Sequence, residues 1–141
     1  DVLSQFASGV TVVTSMSGGE PVGMTCQSFS SVSLDPPLVT FIPAKTSRAW
    51  PLIHRSGKFC VNVLAADQDW LSNQMPTEAT GSPLIRGTLA HLDCTIHAVH
   101  EAGDHYIVVG RVQALETGDV EDPLLFFRGR YSTTERVTDG A

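Results

Sequence analysis

Positive charge is scarce in this sequence. The chain has 9 lysine and arginine residues against 15 aspartate and glutamate residues, which gives a formal net charge of -6. Lysine occurs twice, as Lys45 and Lys58, and the arginines are scattered. Proteins that bind nucleic acid carry a basic surplus or a clustered basic stripe. The composition therefore argues against a nucleic-acid partner.

Long apolar runs and paired cysteines are also absent. No stretch approaches the roughly 20 apolar residues that a membrane-spanning helix needs, and no signal peptide opens the chain. Cys26, Cys60 and Cys94 are odd in number and form no CxxC pair, unlike the cysteines of a small disulfide-stapled domain. We therefore expect reduced thiols, a cytoplasmic protein and no membrane partner.

The common catalytic motifs are missing as well. The chain has no GxxxxGK[ST] loop, no GxGxxG turn and no GxSxG elbow, so these patterns support neither nucleotide folds nor a serine nucleophile. On a regular strand His91, Asp93 and His97 point away from Cys94. A zinc site needs three or four convergent ligands, so no metal site is predicted.

The chain does contain a series of short segments of β-type composition. Its 141 residues, with 42% hydrophobic and 17% charged, match one domain, which we place at 1–141. Turn residues at 17–20 and 101–104 predict hairpins. Many short strands favour a mainly β barrel. The predicted strands cover 10–14, 21–29, 38–42, 58–63, 89–100, 106–115 and 123–127.

Two short helices are predicted as connectors between these strands. Thr46 or Ser47 can N-cap a helix that runs through Ile53 and ends at Ser56-Gly57. A second helix opens at 67–71, where two aspartates would stand at the positive end of its dipole. The stretch 75–83 has the composition of a loop.

Three places could carry chemistry. The segment 23–33 is dense in hydroxyls and amides, which would suit a flat heterocycle or, equally, a solvent-facing edge strand. The segment 43–48 joins a strand to a helix and carries two hydroxyls and two cations, which suits phosphate or, equally, an ordinary N-cap. His105 follows Gly103-Asp104 at a hairpin base, where ligands of a barrel often bind.

Taken in order, several blocks of the sequence resemble the short-chain flavin reductase family. The similarity spans nearly the whole chain. The matching blocks are Phe6–Thr14, Pro21–Thr25, Ser28–Phe29, Ser31–Val39, Phe59–Leu64, Gly103–His105 and Gly129–Tyr131.

The resemblance implies a fold and an activity. The fold would be an FMN-binding split β-barrel of Greek-key type, assembled as a homodimer. The activity would be NAD(P)H-dependent reduction of FMN or FAD, by hydride transfer from nicotinamide to flavin, with reduced flavin diffusing to a partner monooxygenase. A pyridoxamine-phosphate-oxidase-like flavoprotein and a non-catalytic flavin-binding electron carrier are the alternatives.

The resemblance also assigns roles to residues. His105 would be the catalytic residue on the nicotinamide side and would share nicotinamide binding with Tyr131. The isoalloxazine edge would run along one strand, with backbone groups and the hydroxyls of Thr25 and Ser28 near its pyrimidine. The residues expected to bind the cofactor are Met24, Thr25, Cys26, Gln27, Ser28, Pro43, Ala44, Lys45, Thr46, Ser47 and Arg48.

One departure from the family pattern lies near 74–77. Family members carry a longer segment after the second helix, whereas here Ser72-Asn73-Gln74-Met75 passes at once into Pro76. Either the loop is short in this chain or a segment is missing from the sequence as printed. We favour the second interpretation, because long active-site loops are often disordered.

Overall fold

The computed structural model describes residues 2–66, 74–77, 79–119 and 122–133, and these are predominantly β. One α-helix, α1 (Trp50–Ser56), and one 3-10 turn, Leu3–Gln5, occur in this part of the chain. The strands are β1 Ser8–Gly9, β2 Thr11–Ser17, β3 Glu20–Cys26, β4 Ser30–Leu34, β5 Pro37–Phe41, β6 Lys58–Val63, β7 Gln74–Pro76, β8 Pro83–Ile85, β9 Ala90–Ala102, β10 His105–Thr117, β11 Leu125–Phe127 and β12 Arg130–Ser132.

A seven-stranded antiparallel sheet forms the body of the molecule. Its strand order is β3-β2-β6-β9-β10-β5-β4, and two smaller sheets pair β1-β11-β12 and β7-β8. The large sheet is not closed between its edge strands β3 and β4 within the described residues. The mainly β class is confirmed.

Both predicted hairpins are present. β2 and β3 pair from Thr11 opposite Cys26 to Ser17 opposite Glu20. Their turn uses Gly18 and Gly19, both with positive φ, which glycine adopts without steric cost. β9 and β10 form the second and longer hairpin, whose register shifts at two places, at His97 on β9 and at Gln113 on β10.

The connectors differ from prediction in two places. α1 begins at Trp50 with Ala49 at its N-cap, because residues 44–47 form a separate turn in which the Ser47 N–H donates to the Ala44 carbonyl over 3.0 Å. The helix ends as predicted, at Gly57 in the left-handed region. Part of the predicted loop 75–83 is instead the β7-β8 hairpin. The second predicted helix, at 67–71, lies outside the described residues.

The core sits between α1 and the large sheet. Phe41 packs edge-on against Phe59 and Trp50, with ring centroids 4.9 and 6.0 Å apart respectively, and Ile53 is fully buried beside them. A Cβ at Gly110 would lie 2.4 Å from Cζ of Phe59. Any larger residue at position 110 on β10 would therefore clash with the Phe59 ring.

A buried polar network attaches the β7-β8 hairpin to the sheet. The Asn62 side-chain amide donates to the Val12 carbonyl over 3.0 Å and to Thr14 Oγ1 over 3.1 Å, and its oxygen accepts the Ile85 N–H over 2.9 Å. The Thr14 hydroxyl donates to the Pro83 carbonyl. Because every polar atom of Asn62 is paired, its burial costs little.

Candidate functional site

A groove of about 780 Å³ runs along the open edge of β3. Four parts of the chain form its walls: the N-terminal segment, β3 with the residues after it, the segment after β5, and the start of β10. The lining residues are Leu3, Phe6, Ser8, Met24, Thr25, Cys26, Gln27, Ser28, Ile42, Ala44, Ser47 and His105. The groove thus gathers the polar strand, part of the 43–48 segment and His105, which sequence reasoning treated separately.

The edge position of β3 determines what this wall offers to a ligand. Val22, Met24 and Cys26 pack toward the core, while Gly23 and Thr25 are exposed. An edge strand leaves a row of backbone N–H and C=O groups without a strand partner. A flat heterocycle beside β3 would therefore meet mainly backbone donors and acceptors, which leaves the side-chain types at 26 and 27 free to vary.

Ser28 lines the groove, as expected, but its hydroxyl is engaged within the protein. Ser28 Oγ accepts the Ile42 N–H over 2.8 Å and lies 2.9 Å from Cys26 Sγ. The Thr11 hydroxyl donates to the Cys26 carbonyl over 2.6 Å. The bond to Ile42 braces the end of β3 against the end of β5, and the Thr11 bond ties it to β2, so Ser28 shapes the groove wall.

The 43–48 segment divides between the groove and the surface. Ala44 and Ser47 line the groove, and the Ser47 hydroxyl accepts the Trp50 N–H over 3.2 Å and lies 3.9 Å from Met24 Sδ. Four other residues predicted to bind cofactor do not line it. Pro43 is buried, and Lys45, Thr46 and Arg48 are exposed.

His105 stands at the rim of the groove. Its side chain is 43% exposed, and its Nδ1 lies 2.8 Å from Asp104 Oδ1. This hydrogen bond lowers the pKa of the Asp104 carboxyl below its ordinary value. The imidazole is therefore held at one nitrogen by a carboxylate while the ring faces the opening.

Tyr131, expected beside His105, does not line the groove. It lies on β12, where its ring packs edge-on against Phe126 at 5.5 Å, and it is 62% exposed. Phe126 is in turn the strand partner of Ser8, so one strand separates Tyr131 from the groove wall.

Sequence reasoning assigned no role to four residues that line the groove: Leu3, Phe6, Ser8 and Ile42. Phe6 and Ser8 belong to a sequence block that resembles the family. That resemblance was the feature of the sequence that could have indicated their place in the groove. Leu3 and Phe6 are more than 80% exposed, with values of 85% and 82%. They give the groove an uncovered apolar rim.

Two of the three cysteines lie away from the groove, in the core. Cys60 and Cys94 are fully buried, and burial raises the pKa of the Cys60 thiol to about 12 and that of Cys94 also upward. Such thiols stay protonated and unreactive at neutral pH. No cluster of three or more potential metal ligands occurs in the described ranges. Nor does any helix in them have the length and apolar character needed to cross a membrane.

Comparison with known proteins identifies relatives over nearly the whole chain. The family model described as "Flavin reductase like domain" matches residues 3–78 and 69–135. The reductase subunit HsaB of a flavin-dependent monooxygenase from Rhodococcus jostii is 46% identical over 152 aligned residues, covering 95% of this chain and 75% of the relative. The FMN reductase (NADH) SmoA of Agrobacterium fabrum is 42% identical over 148 residues, covering 96% and 84%.

A solved structure shares the fold. The crystal structure of a nitrilotriacetate monooxygenase component B homologue from Mycobacterium thermoresistibile superposes with a TM-score of 0.90 at 42% identity. The match covers 99% of this chain and 90% of that one.

Proposed function

We propose that this chain, which belongs to the flavin reductase-like domain family, reduces flavin with a nicotinamide dinucleotide in the groove beside β3. Relatives named flavin reductase and FMN reductase (NADH) support flavin and NAD(P)H as reactants. The observation that carries the location is the convergence of β3, Ser47 and His105 on one groove.

The groove residues fit a flavin in size and chemistry. Its volume lies within the about 300–1,000 Å³ typical of sites for cofactors. The backbone edge of β3 offers donors and acceptors to a planar ring, and Met24 and Ile42 offer apolar contact. A bound flavin supplies the electron chemistry by accepting a hydride, so the protein supplies binding, orientation and electrostatics.

Within this proposal each wall of the groove has a task. Met24, Thr25, Cys26, Gln27 and Ser28 would hold the ring edge, largely through backbone. Ser47 would hold the flavin phosphate, with Thr46 and Arg48 close along the chain. His105, oriented by Asp104, would contact the nicotinamide and align it over the flavin.

The oligomeric state and partner complete the proposal. An oxygenase partner follows from relatives that are reductase components of two-component monooxygenases. We infer a homodimer in which a second subunit covers the apolar rim formed by Leu3 and Phe6. The three cysteines are all free, which supports a reducing, cytoplasmic compartment.

We also propose that the whole chain is one domain and that a segment near 74–77 is missing from the sequence as printed, the alternative being a loop that is shorter here than in the relatives. The family model matches in two pieces that overlap at 69–78, which supports a discontinuity at that place. Mass spectrometry of the purified protein, read against the printed sequence, tests whether residues are missing there. A mass that agrees with 15.1 kDa establishes a short loop.

The decisive assay follows NADH at 340 nm with FMN present, for the wild type and for His105→Ala. The wild type is expected to oxidise NADH catalytically. Loss of a positioning contact can cost on the order of a hundredfold in rate, so His105→Ala should lower kcat/KM for NADH steeply. FMN affinity and melting temperature should change little.

Two results would decide against the proposed reaction, and a third would decide against the role of His105. Wild-type protein that binds FMN without oxidising NADH or NADPH would be an electron carrier. Oxidation of pyridoxamine phosphate in place of NADH would assign the chain to the related oxidase class. A His105→Ala variant with a lower melting temperature and normal turnover would make His105 a structural residue of the turn.

A further inference from the structure

The tip of the β9-β10 hairpin is joined to the segment after β5 by backbone contacts. The Lys45 N–H donates to the Asp104 carbonyl and the Tyr106 N–H donates to the Pro43 carbonyl, each over 2.9 Å. Between these two bonds Ala44 and His105 form a β-bridge. The chain around Lys45 therefore acts as a short extra strand alongside His105.

The Lys45 side chain strengthens the same junction. Its Nζ lies 3.0 Å from Glu101 Oε1 and 5.3 Å from the centroid of the Tyr106 ring. Glu101 and Tyr106 are partners in the β9-β10 register, directly next to the pair formed by Ala102 and His105. The Lys45 ammonium thus contacts a residue on each strand of the hairpin. Both residues belong to the register pair next to that of His105.

The charge of Lys45 is already compensated. The hydrogen bond that the Lys45 ammonium donates to the Glu101 carboxylate raises the pKa of the ammonium, so Lys45 stays charged at neutral pH. Lys45 does not line the groove, whereas its neighbours Ala44 and Ser47 do. A phosphate in the groove would meet Ser47 first.

We propose that Lys45 is a positioning residue that clamps the hairpin tip and so holds His105 at the groove rim, and that it does not bind the flavin phosphate. This inference rests on the proposed function, because it takes His105 as the residue beside the nicotinamide. The turn next to His105 consists of Gly103-Asp104 alone, so the clamp adds side-chain contacts to the backbone bonds that hold this tip.

Two variants remove the clamp in different ways, and a third is the control. Lys45→Met keeps the aliphatic stem and removes the charge, while Glu101→Gln keeps the shape and removes the ion pair. Lys58→Met removes the other lysine, which does not line the groove. Each variant is measured for kcat/KM with NADH at saturating FMN, and for Kd with FMN and with riboflavin, which lacks the phosphate.

Lys45→Met should lower kcat/KM for NADH about fivefold, the scale of an exposed ion pair with a cation–π contact, and Glu101→Gln, which leaves the cation–π contact in place, should lower it about twofold. Kd for FMN and for riboflavin should each change less than twofold, and Lys58→Met should match the wild type. The opposite pattern would overturn the proposal. In that pattern Lys45→Met weakens the binding of FMN but not of riboflavin, and Glu101→Gln strengthens the binding of FMN because the ammonium is freed. An unchanged kcat/KM for NADH in both variants would also overturn it.

A second measurement separates the clamp from the reductase activity. Hydrogen exchange of the Lys45 and Tyr106 amides should be faster in Lys45→Met and Glu101→Gln than in the wild type and Lys58→Met. Unchanged exchange would refute the clamp whatever the activity. A wild type that fails to oxidise NADH, with faster exchange in the variants, would refute the proposed function and leave the clamp standing.

Discussion

At the residue scale, Ser47 is the residue of the 43–48 segment whose polar side chain lines the groove. The helix expected to start there begins at Trp50 instead, so phosphate binding cannot depend on an extended helix N-terminus. The Ser47 hydroxyl already accepts the Trp50 N–H, and its own proton faces a thioether at 3.9 Å. That proton is available to a stronger acceptor, because a thioether sulfur is a weak one.

Ser47→Ala should therefore weaken FMN binding about tenfold, the equivalent of one charge-assisted hydrogen bond of about 1.5 kcal/mol. Riboflavin binding should change less than twofold, since it lacks the phosphate. Arg48→Ala, at an exposed position outside the groove lining, should have a smaller effect on FMN. Flavin fluorescence titrations measure all three. Equal losses for FMN and riboflavin would show that Ser47 shapes the wall and does not bind phosphate.

At the scale of elements, the end of β3 is held by strand pairing with β2 on one side and by side chains on the other. β3 and β4 are the two edges of the sheet and are not paired with each other. Ser28, between them, bonds to Ile42, which follows β5. On the β5 side, the groove wall at Ser28 therefore depends on the Ser28 hydroxyl.

Ser28→Ala should lower the free energy of unfolding by about 1–2 kcal/mol, because the half-buried Ile42 N–H loses its partner. It should also weaken the binding of FMN and of riboflavin to the same extent, because the substitution changes the groove wall and not the contact with the phosphate. Thermal melts and flavin titrations test this, with Ser28→Thr as the variant that keeps the hydroxyl. The idea fails if Ser28→Ala affects FMN alone.

At the scale of the whole molecule, apolar side chains are exposed near the groove and on a sheet edge. Leu3 and Phe6 form the groove rim, and Leu34, at the end of edge strand β4, is 91% exposed. An uncovered strand edge with apolar side chains tends to associate with another chain. A second copy of this chain is the occupant that we propose.

Sedimentation at micromolar concentration should therefore give twice the protomer mass of 15.1 kDa. Phe6→Ser, which removes apolar area from the rim, should shift the equilibrium toward monomer and weaken flavin binding with it. Arg86→Ser, outside the groove lining, should leave the mass unchanged. A fully active wild-type monomer would contradict a shared site.

The sequence alone determined the local features of this protein. Alternating β-branched residues predicted the strands, glycines and polar pairs predicted both hairpin turns, and the blocks of resemblance predicted the family. These succeed because strand period and turn geometry depend on a few neighbouring residues. Even the end of α1 at Gly57 was readable, since a left-handed cap favours glycine.

Only the tertiary structure decided which of these features meet. Lys45 is bonded to Glu101 across 56 positions of sequence, Ser28 is bonded to Ile42, and Tyr131 lies beyond β11 away from the groove. Each of these outcomes depends on the order of strands in the sheet. Strand order follows from burying both faces of the whole sheet at once, and no local pattern of residues carries that information.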